Sequence, residues 1–141
     1  MRILFDTNVV LDVLLNRQPH AGSASQLMVH VEKKRIDGLL GATTVTTIHY
    51  LAMKAVGASR ARKHVQTLLS LFEVAPVGQA ALLQALYLRF DDYEDAVLHE
   101  AARSAGAEGI VTRDATGFSS GTLRIYAPDE LLRIVSTLPP A

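Results

Sequence analysis

The apolar run Ile3-Leu4-Phe5 stops abruptly at Asp6. Thr7 and Asn8 follow with turn and helix-cap chemistry, and Val9-Val10-Leu11 resumes the apolar pattern. This is the signature of a buried strand that delivers one carboxylate to its C-terminal tip, immediately before a helix. No other stretch restricts the fold as much. In open α/β sheets, ligands bind beyond the carboxyl ends of the strands, where strand order reverses. Asp6 is thus expected at the edge where such sheets carry their chemistry.

The rest of the chain repeats that alternation. Strand patterns fall at Arg2–Phe5, Leu39–Thr43, Glu73–Val77, Gly109–Thr112 and Leu123–Tyr126. Between them, helical spacing covers Val9–Leu15, a segment opened by a Ser23–Gln26 capping box and ended by Asp37-Gly38, and a segment from the turn Thr44–Thr47 to Val56-Gly57. Ser59 is placed to cap the next helix, followed by helices at Ala80–Leu88 and Tyr93–Ser104. Asp91 or Asp92 caps the latter, and Gly106 closes it. Arg113–Gly121 reads as a loop. Pro128-Asp129-Glu130 starts the last helix, with proline in the first turn and acids at the positive end of the dipole. The expectation is an α/β fold: a mostly parallel five-stranded sheet with helices on both faces. A chain of 141 residues fits one domain over 1–141, with 137–141 as a flexible tail.

Fourteen basic and fourteen acidic residues leave no net charge, so any nucleic-acid binding must come from a local patch. Cysteine is absent, which removes disulfides, thiolate nucleophiles and cysteine-bound metals. One basic residue precedes Asp6, unlike a signal peptide, and no apolar stretch reaches membrane-spanning length. A soluble cytoplasmic domain, with no membrane partner, is the expectation.

Three acids occupy equivalent places in this scheme. Asp6 ends the first strand, Asp114 follows Ile110-Val111-Thr112-Arg113, and Asp95 lies in the first turns of the helix preceding that strand. Parallel strands share one direction, so their tips share one edge of the sheet. Each acid also has a plain reading: Asp92 as a helix cap, Asp6 and Asp114 as turn residues, Asp12 as a solvated or capping-region acid on the first helix. The charge pattern favours convergence. Asp91, Asp92, Glu94 and Asp95 crowd one helix start, where like-charged neighbours cost about 0.2–0.5 kcal/mol per pair. A divalent cation relieves that repulsion. Carboxylate oxygens with several retained waters suit Mg²⁺, and Mn²⁺ is an alternative.

Taken together, Asp6-Thr-Asn-Val-Val-Leu-Asp, Tyr93-Glu-Asp95-Ala-Val, and Ile110-Val-Thr-Arg-Asp114 with Phe118 resemble the PIN-domain family, in particular its VapC-like members. The likeness runs from Met1 to about Leu132. It implies a Mg²⁺- or Mn²⁺-dependent ribonuclease, a homodimer, and for toxin members a small antitoxin partner. Carried over, Asp6, Asp95 and Asp114 are the metal-binding, catalytic acids, and Asp92 is an outer contributor. One departure stands out. Many relatives carry a glutamate on the helix after the second strand, and Thr47 occupies that place here. A hydroxyl can hold a water but adds no negative charge, so metal affinity and catalysis are expected to weaken. His49, two residues on, points to a different helix face.

Other motifs fall away. His99-Glu100 lacks the second histidine of a zinc protease, and no phosphate-cradling glycine loop or serine elbow occurs. Lys54, Arg60, Arg62 and Lys63 form a basic cluster at a helix–helix junction, readable as a solvated face or as an RNA-backbone contact. Lys33, Lys34 and Arg35 form a second. Asn8, Thr47 and Arg113 are further candidates for substrate contact, with Arg113 alternatively bridging to a carboxylate. Tyr50 and Tyr93 read as core residues or base-stacking platforms. Three functions compete: a metal-dependent toxin-type endoribonuclease, a PIN-like module that has lost activity, and a phosphoacceptor domain. The last needs a lysine near the final strand, and Ile125-Tyr126-Ala127-Pro128 offers none.

Overall fold

Ile3, Leu4 and Phe5 have no solvent exposure, which places their strand at the centre of the sheet. The computed structural model describes residues 1–139. Strand β1 (Arg2–Phe5) is followed by helices α1 (Thr7–Leu14) and α2 (Ala21–Glu32), then β2 (Asp37–Gly41). Helices α3 (Ala42–Val56) and α4 (Ala58–Leu71) lead to β3 (Glu73–Ala75), and α5 (Gln79–Ala85) and α6 (Tyr93–Ser104) lead to β4 (Gly109–Val111). A 3₁₀ turn (Ala115–Phe118), β5 (Arg124–Tyr126) and α7 (Pro128–Ser136) complete the described chain. All strands are parallel, in the order β3-β2-β1-β4-β5. Order reverses at β1, so the switch point lies between the tips of β1 and β4.

Alternation along the strands divides the core between two faces. Ile3, Phe5, Leu40 and Val111 pack with Val9, Val10, Leu27, Leu68 and Leu131 of the helices on one side. Leu4, Leu39, Ile110 and Ala75 pack with Leu98, Ala101 and Ala102 of α6 and with Phe118 on the other. Each large apolar side chain buried this way stabilises the fold by about 1.5–3 kcal/mol. Among the described residues, no helix is long and apolar enough to cross a membrane.

Several local expectations shift. Asp37-Gly38 opens β2 instead of ending a helix, and the chain turns earlier, at Lys34 with φ 60°. Gly38 is needed in the strand because a Cβ there would lie 2.7 Å from the Phe72 ring. The turn expected at Thr44–Thr47 is already helical. Ser23 and Ser59 cap nothing: α2 begins after His20 and α4 after Gly57, whose φ of 89° suits glycine. Ser23 Oγ instead donates to Asp129 Oδ1 across the helices. Of the tail expected at 137–141, the Leu138 carbonyl accepts from Arg35 at 2.8 Å, and residues 140 and 141 lie outside the described residues.

Candidate functional site

Asp6 is the N-cap of α1, and its position follows directly from the strand that precedes it. Its backbone N–H donates to the Val111 carbonyl at 3.0 Å, which extends the β1–β4 pairing by one residue. Its Oδ1 accepts from the Thr7 N–H at 2.8 Å, and its Oδ2 accepts from Thr112 Oγ1 at 2.7 Å. Thr112 Oγ1 in turn accepts from the Asp114 N–H at 3.0 Å. One fully buried hydroxyl therefore ties the tip of β1 to Asp114, three residues past β4. Thr112 escaped the sequence reading because nothing in a Val-Thr-Arg string distinguishes a strand-end threonine from a bridging one.

Asp114 caps the 3₁₀ turn, accepting from Thr116 Oγ1 at 2.9 Å. Asp95 approaches from the first turn of α6. Gly117 separates the two carboxylates: a Cβ on it would sit 2.8 Å from Asp95 Oδ2 and 2.9 Å from Asp114 Oδ2. The absence of a side chain at Gly117 keeps this gap open, a role visible only once the turn is folded. Asp92 caps α6 by accepting from the Glu94 N–H at 2.8 Å and is exposed at the rim.

The electrostatics bind these acids into one group. Burial pushes the Asp95 carboxyl up to about 7, with further contributions from the charges of Asp6, Asp92, Asp114 and Glu94. Burial also raises Asp6, against the hydrogen bonds from Thr112 and Thr7, with Asp114 and Asp92 adding repulsion. No cation faces Asp95 among the described residues, nor does it accept any hydrogen bond there. Equally, no three acidic or histidine side chains among those residues form a ready-made ligand cage. The donor set is all oxygen, with two carboxylates flanking one gap and a third close enough to be felt electrostatically. That fits a hydrated hard cation, which takes one or two carboxylates and keeps several waters.

The other candidates divide. Asn8 lies at the site: its Nδ2 is 3.4 Å from both Asp6 Oδ2 and Thr112 Oγ1, and its Oδ1 accepts from the Arg113 N–H at 3.3 Å. Arg113 takes its carboxylate alternative, donating to Asp12 from Nε at 2.6 Å and from Nη2 at 3.2 Å. Asp12 corrects the expectation of a solvated acid. It is fully buried because it balances two guanidiniums, Arg113 and Arg17. Thr47 donates to the Thr43 carbonyl in its own helix, and it lines a 260 Å³ hollow shared with Glu94 and Tyr93.

The basic cluster is not brought to the acids. Thr44, whose Oγ1 accepts from Thr7 Oγ1 at 3.1 Å, marks the end of α3 beside the site. Lys54 lies ten residues further on, about 15 Å along the axis. Arg60, Arg62 and Lys63 follow at the start of α4, all exposed. Neither Tyr50 nor Tyr93 is a core residue. Tyr50 is exposed beneath the Lys54 ammonium, 4.4 Å from its ring centre, and Tyr93 is exposed with its hydroxyl donating to the Leu82 carbonyl.

Comparison with known proteins adds a family match, a relative and three similar structures. A family model described as a PIN domain matches residues 2–116. The chain is 22% identical over 142 residues to Ribonuclease VapC1 of Aquifex aeolicus, covering 97% of both chains. It superimposes on VapBC2 from Rickettsia felis, bound to a promoter DNA fragment, with a TM-score of 0.69 at 15% identity, covering 90% of this chain and 98% of that one. A toxin–antitoxin complex from Klebsiella pneumoniae gives 0.69 at 22% identity, covering 89% and 97%. VapC20 of Mycobacterium tuberculosis, a sarcin–ricin loop cleaving toxin, gives 0.63 at 17%, covering 77% and 86%.

Proposed function

The chain belongs to the PIN-domain family, and from that premise we propose that it is a metal-dependent endoribonuclease, the toxin of a toxin–antitoxin pair. The observation that carries the reading is the gathering of Asp6, Asp95 and Asp114 at the switch point, with Asp95 held near pH 7 by burial and by its acidic neighbours. The relatives' descriptions, Ribonuclease VapC1 and several toxin–antitoxin complexes, support it. Asp6, Asp95 and Asp114 would hold Mg²⁺ or Mn²⁺, with Asp92 at the rim. The ion, when bound, supplies Lewis-acid polarisation of a phosphodiester oxygen and neutralises charge in its hydrolysis.

The chain's own groups do the positioning. Thr112 fixes the rotamer of Asp6 and the backbone of Asp114 at once, so two metal-facing carboxylates move as one piece. Asp95 holds a proton near neutrality in the metal-free state and must release it to become a ligand. Asn8 anchors the Arg113 backbone between them and offers its amide to substrate. RNA is the substrate, and Lys54, Arg60, Arg62 and Lys63 would meet its backbone at a distance from the cut. A small antitoxin is the protein partner, the cytoplasm the compartment, and residues 1–141 one domain. A homodimer is supported by the apolar strip Leu82, Leu83, Leu86 and Tyr87 on and just after α5, where Tyr87 is 86% exposed.

A second reading, a PIN-like module without catalysis, is favoured by Thr47, whose hydroxyl is spent inside its own helix. Incubating total RNA with the wild type and Asp6→Asn, with Mg²⁺, Mn²⁺ or EDTA, separates the two. The nuclease reading expects cleavage by the wild type alone and only with metal. No cleavage under any metal condition, with partner binding intact in Asp6→Asn, supports the second.

A further inference from the structure

A second concave site begins one residue from the acids. Arg113, between Thr112 and Asp114, walls a cavity of about 420 Å³ that extends to the starts of α2 and α7. That volume lies within the range of about 300–1,000 Å³ typical of small-ligand sites. Arg113 is held rigidly by Asp12, and its Nη1 has no protein partner among the described residues. Asp12 pairs with Arg17 as well, so its one carboxylate is shared between two guanidiniums. Across the cavity, Asp129 accepts from Ser23 through Oδ1 and leaves Oδ2 unpaired among the described residues. His20 adds a polar edge, and Pro19 and Pro128 supply flat apolar walls.

We propose that this cavity is a base-recognition subsite that takes a guanine of the RNA strand next to the scissile phosphate. The inference rests on the nuclease reading for its position beside the cut, and on the cavity alone for its chemistry. Sequence-specific RNA recognition targets unstacked bases, read on their Watson–Crick edges and stacked on planar groups, the arginine guanidinium included. A carboxylate is acceptor only. Guanine alone among the four bases presents two adjacent N–H donors, N1–H and N2–H, with the O6 acceptor beside them. Asp129 meets the two donors, and Arg113 Nη1 or His20 meets O6. Adenine and cytosine place a ring nitrogen lone pair against the carboxylate, and uracil places carbonyls on both sides of its one N–H.

The test is titration of the full-length protein, in EDTA, with guanosine, adenosine, cytidine and uridine monophosphates, followed by NMR. The expected result is shift changes at His20, Arg113 and Asp129, with guanosine monophosphate bound roughly tenfold or more tighter than the others. Asp129→Asn, which swaps an acceptor for a donor, is expected to reduce guanine to the level of the other bases. Ser23→Ala, which frees Oδ1, is expected to keep or strengthen the preference. Should Asp129→Asn fail to fold, the wild-type ranking and Ser23→Ala still decide. Equal affinity for all four nucleotides, or shifts confined elsewhere, overturns the proposal and leaves the cavity to a protein side chain. Asp6→Asn keeps the guanine preference if the subsite is real, so failure of cleavage and failure of this subsite remain distinguishable.

Discussion

Asp12 is the polar side chain that ties two distant arginines together. It is fully buried and accepts from Arg17 Nε at 2.9 Å and from Arg113 Nε at 2.6 Å. Removing one partner of a buried ion pair costs about 3–5 kcal/mol. Both arginines here are partly exposed and can re-solvate, which lowers the expectation for Asp12→Ala to about 2–3 kcal/mol, measured by urea denaturation. A loss under 1 kcal/mol would show that the pair is not the anchor inferred here. Asp95 gives a pH signature. Its folded pKa of about 7 exceeds the value of about 3.9 for an unfolded aspartate. The folded state therefore holds the proton more tightly, and that stabilisation is complete below about pH 4 and lost as pH rises through 7. The metal-free Tm should fall by several degrees between pH 5 and pH 8, and Asp95→Asn should flatten the fall. Mg²⁺ at pH 8 should restore the wild type and leave the variant unchanged. A metal-free Tm that rises with pH in the wild type, with no difference from the variant, would contradict the electrostatics.

Among the elements, β4 and α6 each carry one tightly constrained position. A Cβ at Gly109 would lie 2.7 Å from the Arg124 carbonyl oxygen of β5, a backbone atom that cannot swing aside. Gly109→Ala should cost about 1–3 kcal/mol by overpacking, and should loosen β5 and the start of α7 first in hydrogen exchange. Exchange confined to other strands would argue against that coupling. His99, buried on α6, holds the loop after the 3₁₀ turn. Its Nε2 accepts from the Thr122 N–H at 3.0 Å and the Leu123 N–H at 3.3 Å, and Glu100 Oε2 lies 3.0 Å from its Nδ1. Burial alone would raise the Glu100 carboxyl, but the hydrogen bonds from Arg103 and His99 outweigh it and hold it below its ordinary value. His99→Leu should speed exchange at the Thr122 and Leu123 amides selectively. His99→Gln, which can present an acceptor near the same point, should restore part of the protection.

For the molecule as a whole, zero net charge and an apolar strip on and just after α5 set the expectations. Light scattering should give about twice the 15.3 kDa chain mass. Leu86→Arg with Tyr87→Ser should yield a folded monomer. Unchanged mass in that double variant would move the interface elsewhere. RNA binding should depend only modestly on salt. Each phosphate contact to a single strand contributes about −0.7 to the slope of log affinity against log salt, so a slope steeper than about −3 would demand more contacts than this surface offers near the acids.

What the sequence determined by itself is what depends on neighbours along the chain. The central strand ending at Asp6, an aspartate cap at Asp91 or Asp92 with the extent of α6, and the proline start of α7 are all encoded in a few consecutive residues, because strand alternation, capping and proline geometry are local properties. Strand alternation, met five times, was enough to specify a parallel α/β sheet, with Asp6 at the end of β1, Asp95 in the first turn of α6 and Asp114 past β4. The tertiary structure decided what depends on pairs distant in sequence. Thr112 reaches Asp6 across 106 positions and Arg113 reaches Asp12 across 101. No local pattern marks Asp12 as buried, Gly117 as the spacer between carboxylates, or Lys54 as remote from the acids. Burial, charge balance and separation arise only when the strands close on one another, pairing Asp12 with two guanidiniums and leaving Asp95 among other acids.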